Sequence, residues 1–252
     1  MRSKKSLLLQ KIEKIHFPLL TKIISLIEAK SFASYSAYGE DAIIYGLLKR
    51  YLFATKESFE LSYIDIGAWK PVRESNTYFF YKLGLFGTAV EPNPNLKHQW
   101  QVIRPKDQFL GIGCSDKPTE TLHLFHANAS SNTFSNQFAK SIENSQKVPV
   151  IETCEVDCLS LKEIIARHKR VFPGPYFLDI DVEGFDLNVL NTYDFKENRP
   201  ILVLIEDTSE VSKSLIHLCL QSANYQLIGR TIITSLYIDL TQDLTRVLDS
   251  DF

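Results

Sequence analysis

Several features that would place this 252-residue chain in a specialised class are missing from its sequence. The four cysteines, Cys114, Cys154, Cys158 and Cys219, form no recognisable disulfide framework and no CxxC zinc or redox pair. No apolar run approaches the roughly 20 residues that a membrane-spanning helix needs. No small-residue cleavage site follows a compact apolar core, so we expect no secretion signal. A cytoplasmic protein with reduced thiols is the expectation.

The chain also has little net charge, and that charge is unevenly distributed. The formal net charge is −2 at pH 7, so neutralisation of phosphates gives no reason to expect a nucleic-acid partner. Residues 1–30 hold seven basic and two acidic side chains, a net charge of +5, which leaves −7 for the rest. A basic amino-terminal arm on an acidic body is therefore expected.

We predict that the arm comprises residues 1–33 and that residues 34–252 form one folded domain. Apolar residues between Leu19 and Ile27 recur at helical spacing, and Pro18 suits the first turn of a helix. Two arrangements remain open for this helix. It packs on its own domain or on a second subunit of a homodimer, or it lies as a basic amphipathic segment on an anionic membrane surface.

The body alternates short β-branched or aromatic runs with segments of helical pattern. Five runs are predicted to be parallel strands, namely Leu61–Ile66, Thr88–Val90, Phe109–Cys114, Tyr176–Ile180 and Ile201–Ile205. A closing pair, Tyr225–Ile228 and Leu236–Ile238, follows without an intervening helix. This order predicts an α/β fold with an open, mostly parallel sheet, an antiparallel edge strand and helices on both faces.

Open sheets of this kind bind ligands beyond the carboxyl ends of their strands, and the first two ends carry suggestive residues. Asp65 is followed by Gly67 and Ala68, where a glycine permits a tight turn and the close approach of a ligand. Glu91, followed by Pro92, ends the second strand. An acid at that place can accept two hydrogen bonds from a ribose diol. The next residue, Asn93, is predicted to cap the following helix.

The other three strand ends carry the same kinds of residue. They are Gly113, Cys114, Ser115 and Asp116 after the third strand, Asp179, Asp181, Glu183 and Gly184 after the fourth, and Glu206 and Asp207 after the fifth. The group after the third strand suits the edge of a purine ring. Core packing does not require an acid or a glycine at every strand end, so the set predicts a binding site.

The ligand predicted for this site is a nucleoside without phosphates. The first turn lacks the three-glycine pattern of nicotinamide and flavin sites, which provides backbone amides for a pyrophosphate. S-adenosylmethionine is such a nucleoside, and its positive charge suits a cleft with acidic edges. A nicotinamide-dependent oxidoreductase and a non-catalytic cofactor-binding module remain as alternatives.

The order and spacing of several motifs give the chain a resemblance to a known family. The motifs are Tyr38-Gly39-Glu40-Asp41, Asp65-Ile66-Gly67-Ala68, Ser75-Asn76-Thr77, Gly84-Leu85-Phe86-Gly87, Glu91-Pro92-Asn93-Pro94 and Ile180-Asp181-Val182-Glu183-Gly184. Over roughly residues 34–240 the chain resembles the FkbM-type family of S-adenosylmethionine-dependent methyltransferases. The resemblance implies a class I methyltransferase (Rossmann-like) fold and transfer of a methyl group to a hydroxyl, often on a sugar or polyketide.

The resemblance also implies roles for individual residues. Gly67 and Ala68 pass beneath the cofactor, Glu91 holds its ribose, and Ser115 and Asp116 border its adenine. Asp181 faces the methionine portion or the reacting centre, and Asn76 holds the amino-acid group. The segment from Tyr38 to Asp41 folds over the site as a lid. The sequence departs from many relatives at Trp69-Lys70, where they carry Asn and a small polar or His residue.

Removal of a hydroxyl proton requires a base or a metal, and acids after two neighbouring strands offer both. Asp181, Glu206 and Asp207 are predicted to hold Mg²⁺ with waters and substrate hydroxyls. In the alternative, Glu206 and Asp207 cap the next helix, and Asp181 or Glu183 acts as the base directly.

A carbohydrate or glycosylated small molecule is the predicted acceptor. The polar loop Asn128–Asn136 lies beyond the third strand, and its Ser, Asn and Thr side chains suit sugar hydroxyls. Methylation of a nucleic-acid base is disfavoured. Enzymes that act on exocyclic amines place an Asn/Asp-Pro-Pro-aromatic element where this chain has Asp181-Val182-Glu183-Gly184.

Overall fold

A computed structural model describes residues 33–55, 60–126 and 129–242 of the chain. The chain divides into two units, Met1–Ser34 and Tyr35–Phe252. The predicted arm, residues 1–33, lies almost entirely outside the described residues, so its helix and its contacts stay predictions. Within the described ranges, no helix combines the length and the apolar character that crossing a membrane requires.

The described residues of the second unit form a seven-stranded sheet. Its strands are β1 (Ser62–Ile66), β2 (Thr88–Val90), β3 (Gln108–Leu110), β7 (Tyr176–Ile180), β8 (Leu202–Glu206), β9 (Tyr225–Arg230) and β10 (Thr234–Asp239). Their order across the sheet is β3-β2-β1-β7-β8-β10-β9. β10 runs antiparallel to both of its neighbours, and the first five strands are parallel to one another. The predicted α/β, Rossmann-like fold is confirmed, with the antiparallel strand one place in from the edge.

Helices cover both faces of this sheet. They are α1 (Glu40–Thr55), α2 (Tyr78–Lys82), α3 (Lys97–Ile103), α4 (Asn136–Gln146), α5 (Leu161–Val171), α6 (Asp186–Leu190) and α7 (Leu215–Ser222), with single 3₁₀ turns at Pro94–Leu96 and Val211–Lys213. Apolar residues of α1 and α2 pack on one face, and those of α5, α6 and α7 pack on the other. Burial on both faces explains why β1, β7 and β8 are nearly continuous apolar runs.

A second, three-stranded sheet lies in the connection between β3 and β7. It contains β4 (Gly113–Cys114), β5 (Thr119–Leu124) and β6 (Glu152–Leu159) in the order β4-β6-β5. The predicted third strand, Phe109–Cys114, is therefore wrong as one element. β3 pairs with β2, whereas β4 pairs with β6. The chain changes sheets within this run.

Side chains cap two of the helix starts, and the first of them, Asn93, was predicted from the sequence. Asn93 accepts a hydrogen bond from the Asn95 backbone before the 3₁₀ turn that leads into α3. Ser160 and Glu163 form a capping box at the start of α5.

A buried arginine joins the elements on the α1 face of the sheet. The side chain of Arg104 is fully buried, and its guanidinium lies 2.6 Å from a carboxylate oxygen of Asp107. It donates further hydrogen bonds to the hydroxyls of Tyr63, Ser75 and Thr77. Arg104 thereby ties β1 to the segments that precede α2 and β3, and it is the cation that balances the buried charge of Asp107.

Replacement of Arg104 by Met is expected to lower the free energy of unfolding by about 3–5 kcal/mol, because it leaves Asp107 as an unpaired buried charge. Urea denaturation at pH 7 measures the change. Arg73→Met is the control, since Arg73 pairs with Glu74 at the surface; its expected cost is below about 1 kcal/mol. Equal effects of the two substitutions would contradict this account of the network.

Candidate active site

A cleft opens at the carboxyl ends of β1, β2 and β7. The space in it that the centre of a water molecule can occupy is about 40 Å³. Its lining includes Gly67, Trp69, Glu91, Pro92, Gly113, Cys114, Asp181 and Glu183, together with residues 129–130 and 132–134 of the predicted polar loop. The structure thus brings together residues from three strand ends that lie far apart in the sequence.

The turn after β1 is shaped by contact with β7. Gly67 has φ = +84°, and a Cβ atom on it would lie 1.8 Å from the backbone oxygen of Asp181. The Asp181 backbone N–H donates to the carbonyl of Ile66 at 2.9 Å, which extends the β1–β7 ladder to this point. Glycine is required here first because the protein's own backbone approaches closely. The predicted role beneath a ligand comes in addition to that requirement.

Glu91 links the turns that follow β1 and β2. One oxygen of its carboxylate accepts from the Trp69 backbone N–H at 2.8 Å, and the other accepts from the Asn93 backbone N–H at 2.7 Å. Burial raises the pKa of Glu91 to about 7, although these two hydrogen bonds favour the charged form. Each oxygen keeps a lone pair, so the carboxylate can still accept from a ligand hydroxyl in the cleft.

Trp69 has an unusual backbone conformation at the cleft wall. Its φ is +39°, which is rare for a residue with a side chain. Its N–H is bound to Glu91, and its carbonyl accepts from the indole of Trp100 at 2.7 Å. Ala68 packs beside Trp100 in the same apolar cluster. These contacts hold the turn at Trp69 in place. Trp69 is also the position at which the sequence is expected to differ from many members of the family.

Acidic side chains crowd the turn after β7. Asp186 accepts from the backbone N–H groups of Val182 and Gly184 and so holds the turn closed. Burial and the neighbouring Glu206 raise the pKa of Glu183 to about 8. Burial, Glu206 and Glu183 raise the pKa of Asp181 well above its usual range. A carboxylate with a raised pKa is a stronger base, so Asp181 and Glu183 are suited to accept a proton in the cleft.

The predicted Mg²⁺ site is not supported by the structure. Across residues 33–55, 60–126 and 129–242, no group of three acidic, cysteine or histidine side chains is placed to hold a metal. Asp207 accepts from the hydroxyl of Ser214 at 2.5 Å and from the Ser209 backbone N–H at 3.0 Å, so its carboxylate serves the segment that leads into α7. Glu206 and Asp207 are consecutive residues, and successive side chains at the end of a strand point to opposite sides. Asp181 and Glu206 are therefore neighbours, as the effect of Glu206 on the pKa of Asp181 shows, but Asp207 is turned away from them and binds the segment before α7.

The residues predicted beside adenine separate into two groups. Gly113 and Cys114 line the cleft, whereas Ser115 and Asp116 do not belong to its lining. The hydroxyl of Ser115 is directed to Glu120 at 2.8 Å, and Asp116 is exposed. Burial raises the pKa of the Cys114 thiol, which indicates an inert apolar wall rather than a nucleophile.

Asp65 and Asn76 lie outside the cleft lining, on the α1 face of the sheet. The Thr77 hydroxyl donates to Asp65 at 2.6 Å, and the Asn76 amide donates to Asp179 at 2.9 Å. Glu40 is also buried there, and it accepts from the Thr231 hydroxyl. The segment predicted as a lid, Tyr38 to Asp41, leads into α1, and Glu40 ties it to the β9–β10 turn; its role as a lid stays a prediction.

The loop at residues 129–134 forms the opposite wall of the cleft. Thr133 donates to the backbone carbonyl of Glu183 at 2.8 Å, which fastens the loop to the acidic turn. Phe134 packs edge-on against Phe185 and supplies an apolar wall. Sequence reasoning identified the polar side chains of this loop but missed Phe134. An aromatic residue within a polar loop was the available signal.

The glycine of the β1 turn allows a direct test of this geometry. Gly67→Ala is expected to lower the free energy of unfolding by about 3 kcal/mol or more, because the added methyl group collides with the β7 backbone. Gly39→Ala is the control. Gly39 has φ = +87°, but a Cβ there meets no atom within 4 Å in the described part of the chain, so only backbone strain of about 1 kcal/mol is expected. Similar losses in urea denaturation would contradict the proposed close contact.

Comparison with known proteins places this cleft in a family. No curated protein and no solved structure gives a significant match to the chain. The family model described as the methyltransferase FkbM domain matches residues 65–227, from β1 to within β9, and that range includes the whole cleft lining. Because the match covers more than half of the chain and contains the acids that face the cleft, the protein belongs to the FkbM methyltransferase family.

Proposed function

We propose that this methyltransferase transfers the methyl group of S-adenosylmethionine to a hydroxyl group of a sugar, on a glycan, a lipopolysaccharide or a glycosylated metabolite, and that it acts in the cytoplasm. The observation that carries the proposal is the position of Glu91. Its carboxylate lies beside the turn after β1 and keeps acceptor capacity toward the cleft. That arrangement suits the two hydroxyls of a ribose.

The cleft walls support a nucleoside with positive charge. Ile112, Cys114, Leu122 and Phe134 offer an apolar surface for a purine ring on the side of the small sheet. Asp181 and Glu183 line the same cleft, and burial and their acidic neighbours raise the pKa of both. A bound cation such as a sulfonium favours their charged forms, whereas a pyrophosphate would oppose them.

The chemistry requires orientation and removal of one proton. S-adenosylmethionine supplies an electrophilic methyl carbon when bound. The acceptor oxygen must lie in line with the carbon–sulfur bond, and a base must take its proton as the new carbon–oxygen bond forms. Asp181 and Glu183 are the carboxylates of the cleft that can accept this proton. No metal is needed for this route.

The acceptor is proposed to bind against the loop at residues 129–134. Its Ser130, Asn132 and Thr133 line the cleft opposite Glu91. Thr133 already donates to the carbonyl of Glu183, so the Ser130 hydroxyl and the Asn132 amide group are the ones proposed to meet the acceptor. Sugar hydroxyls are matched by such groups, and a nucleic acid is not favoured by the acidic site. Membrane contact through the basic arm and a homodimer formed through it remain separate proposals.

The role of Glu91 predicts a dependence of cofactor affinity on pH. The free protein carries Glu91 with a pKa of about 7, and ribose hydroxyls bind its charged form better. Affinity for S-adenosylhomocysteine is therefore expected to fall as the pH drops below about 7. Glu91→Gln is expected to weaken binding at pH 8 by about 10- to 100-fold and to flatten the part of the pH profile that is due to this residue.

Isothermal titration calorimetry from pH 5.5 to 8.5 measures both effects. Glu155→Gln provides the control, because Glu155 lies exposed on β6 and accepts from Thr121. Unchanged affinity in the Glu91 variant would refute the ribose assignment. Tighter binding of NADH than of S-adenosylhomocysteine would favour the oxidoreductase alternative.

The catalytic assignment is tested by substitution of the two cleft acids. If Asp181 is the base, Asp181→Asn is expected to lower turnover by about 10²- to 10⁴-fold. If Glu183 is the base, Glu183→Gln is expected to have that effect instead. The acceptor is first found by incubating the protein with methyl-labelled S-adenosylmethionine and fractionated cell glycans. Full turnover in both variants would exclude these acids as the base, and label in a non-carbohydrate fraction would refute the sugar assignment.

A further inference from the structure

The turn after β1 presents two side chains, those of Trp69 and Lys70, to which the proposed function gives no role. Trp69 is part of the cleft lining. Its φ of +39° is strained for a residue with a side chain, and strain of this kind is concentrated at functional sites. The contacts of these two side chains therefore require an explanation.

Two cations lie around the indole of Trp69. The Lys70 ammonium is 4.5 Å from the centre of the ring, and the Arg73 guanidinium is 5.8 Å from it. The Lys70 side chain is half-buried, and that of Arg73 is exposed. Because Trp69 lines the cleft, a ligand that contacts its indole comes within reach of these charges.

The charge of Lys70 is not neutralised by an acid. Arg73 pairs with Glu74 at 2.8 Å, but over the described part of the chain no carboxylate forms an ion pair with Lys70. Residues 69–82 hold three basic side chains and one acidic side chain, whereas residues 31–252 carry a net charge of −7. This local positive charge on an acidic body is available to an anionic ligand.

The backbone that carries Lys70 is held on both sides. Before it, the carbonyl of Trp69 accepts from the indole of Trp100 at 2.7 Å. After it, the carbonyl of Pro71 accepts from the buried guanidinium of Arg104 at 3.4 Å. A fixed backbone lowers the entropy lost on binding, since only the flexible side chain has to be ordered.

We propose that Lys70 binds an anionic group of the sugar acceptor, a carboxylate or a phosphate, while the sugar contacts the indole of Trp69. The inference deepens the proposed function, on which it rests, by naming the substrate class as an acidic sugar. The anionic group stays beside Lys70, because the cleft beyond it is lined by the acids Asp181 and Glu183. The neutral hydroxyl that receives the methyl group extends toward these acids.

Lys70 adds a distinction that the loop opposite Glu91 does not make. Ser130 and Asn132 can bind the hydroxyls of neutral and acidic sugars alike. An ammonium group forms a charge-assisted hydrogen bond only with an anionic sugar. This contact lies away from the reacting hydroxyl and has the same strength before and during methyl transfer, so its loss raises KM and leaves kcat unchanged.

The charge of the acceptor is tested by fractionation. Cell glycans are separated by anion exchange into neutral and acidic fractions, and each fraction is incubated with the wild-type protein and methyl-labelled S-adenosylmethionine. We expect label in the acidic fraction and not in the neutral one. Prior reduction of carboxyl groups with carbodiimide and borohydride abolishes the labelling if the anion is a carboxylate. Prior cleavage of phosphate esters with hydrofluoric acid abolishes it if the anion is a phosphate.

Substitution of Lys70 identifies the residue that binds the anion. With the labelled acidic acceptor, Lys70→Gln is expected to raise KM about 10-fold, because one hydrogen bond to a charged group is lost, and to leave kcat unchanged. Lys70→Arg keeps the charge and is expected to restore most of the affinity. The matched control is Lys49→Gln. The Lys49 ammonium also lies over an aromatic ring, that of Tyr45 at 6.0 Å, but neither residue belongs to the cleft lining, so KM is expected to stay at the wild-type value.

Calorimetry with S-adenosylhomocysteine separates the acceptor from the cofactor. Its affinity is expected to be equal in the wild-type protein and in Lys70→Gln. A loss of affinity as large as the rise in KM would assign Lys70 to the carboxylate of the cofactor and overturn the inference.

The remaining outcomes assign failure to one proposal or the other. If the wild-type protein neither binds S-adenosylhomocysteine nor labels any fraction, the proposed function is wrong and the inference falls with it. Label in the neutral fraction, or labelling that survives both chemical treatments, overturns the inference while methyl transfer to a sugar stands. An unchanged KM in Lys70→Gln also overturns the inference alone.

Discussion

The contact between the turn after β1 and the backbone of β7 sets the geometry of everything around it. Gly67 lies so close to the carbonyl of Asp181 that no side chain fits between them. The β1–β7 ladder continues one residue past the end of β7, where the Asp181 N–H donates to the carbonyl of Ile66. The acids that follow β7 therefore lie beside the turn after β1, which Glu91 binds through the Trp69 N–H. A ligand in the cleft meets both acidic groups because two backbones approach each other.

The second organising feature is an excess of buried negative charge. On the α1 face, Arg104 compensates Asp107 and Asp65, and it does so with hydrogen bonds that also join three elements. Among residues 33–55, 60–126 and 129–242, no basic side chain forms an ion pair with Asp181 or Glu183, and burial raises the pKa of both acids. Such groups destabilise a free protein, and their retention is typical of sites whose charge is balanced only when a ligand is bound.

Apolar runs covered on both faces are conspicuous in the sequence, so the strands and their ends were predictable, and with them Glu91 and Asp181. The direction of each side chain was not predictable. Glu206 and Asp207 are adjacent in sequence, but their side chains point to opposite sides of the sheet. Glu206 lies near Asp181, whereas Asp207 accepts hydrogen bonds from Ser209 and Ser214. The burial of Arg104 was not predictable either, because an arginine three positions before an aspartate looks in sequence like an ordinary surface ion pair.

The loop at residues 129–134 belongs to the connection that carries the small sheet, and that sheet has its own apolar cluster of Leu122, Leu124 and Val156. Glu91 and Gly67 belong to the main sheet instead. The two sides of the cleft thus have separate apolar clusters, joined by the Thr133–Glu183 hydrogen bond and the Phe134–Phe185 contact. Substitutions within the cluster of the small sheet can therefore reshape the loop side, where the acceptor is proposed to bind, while the turn at Gly67 keeps its contact with Asp181.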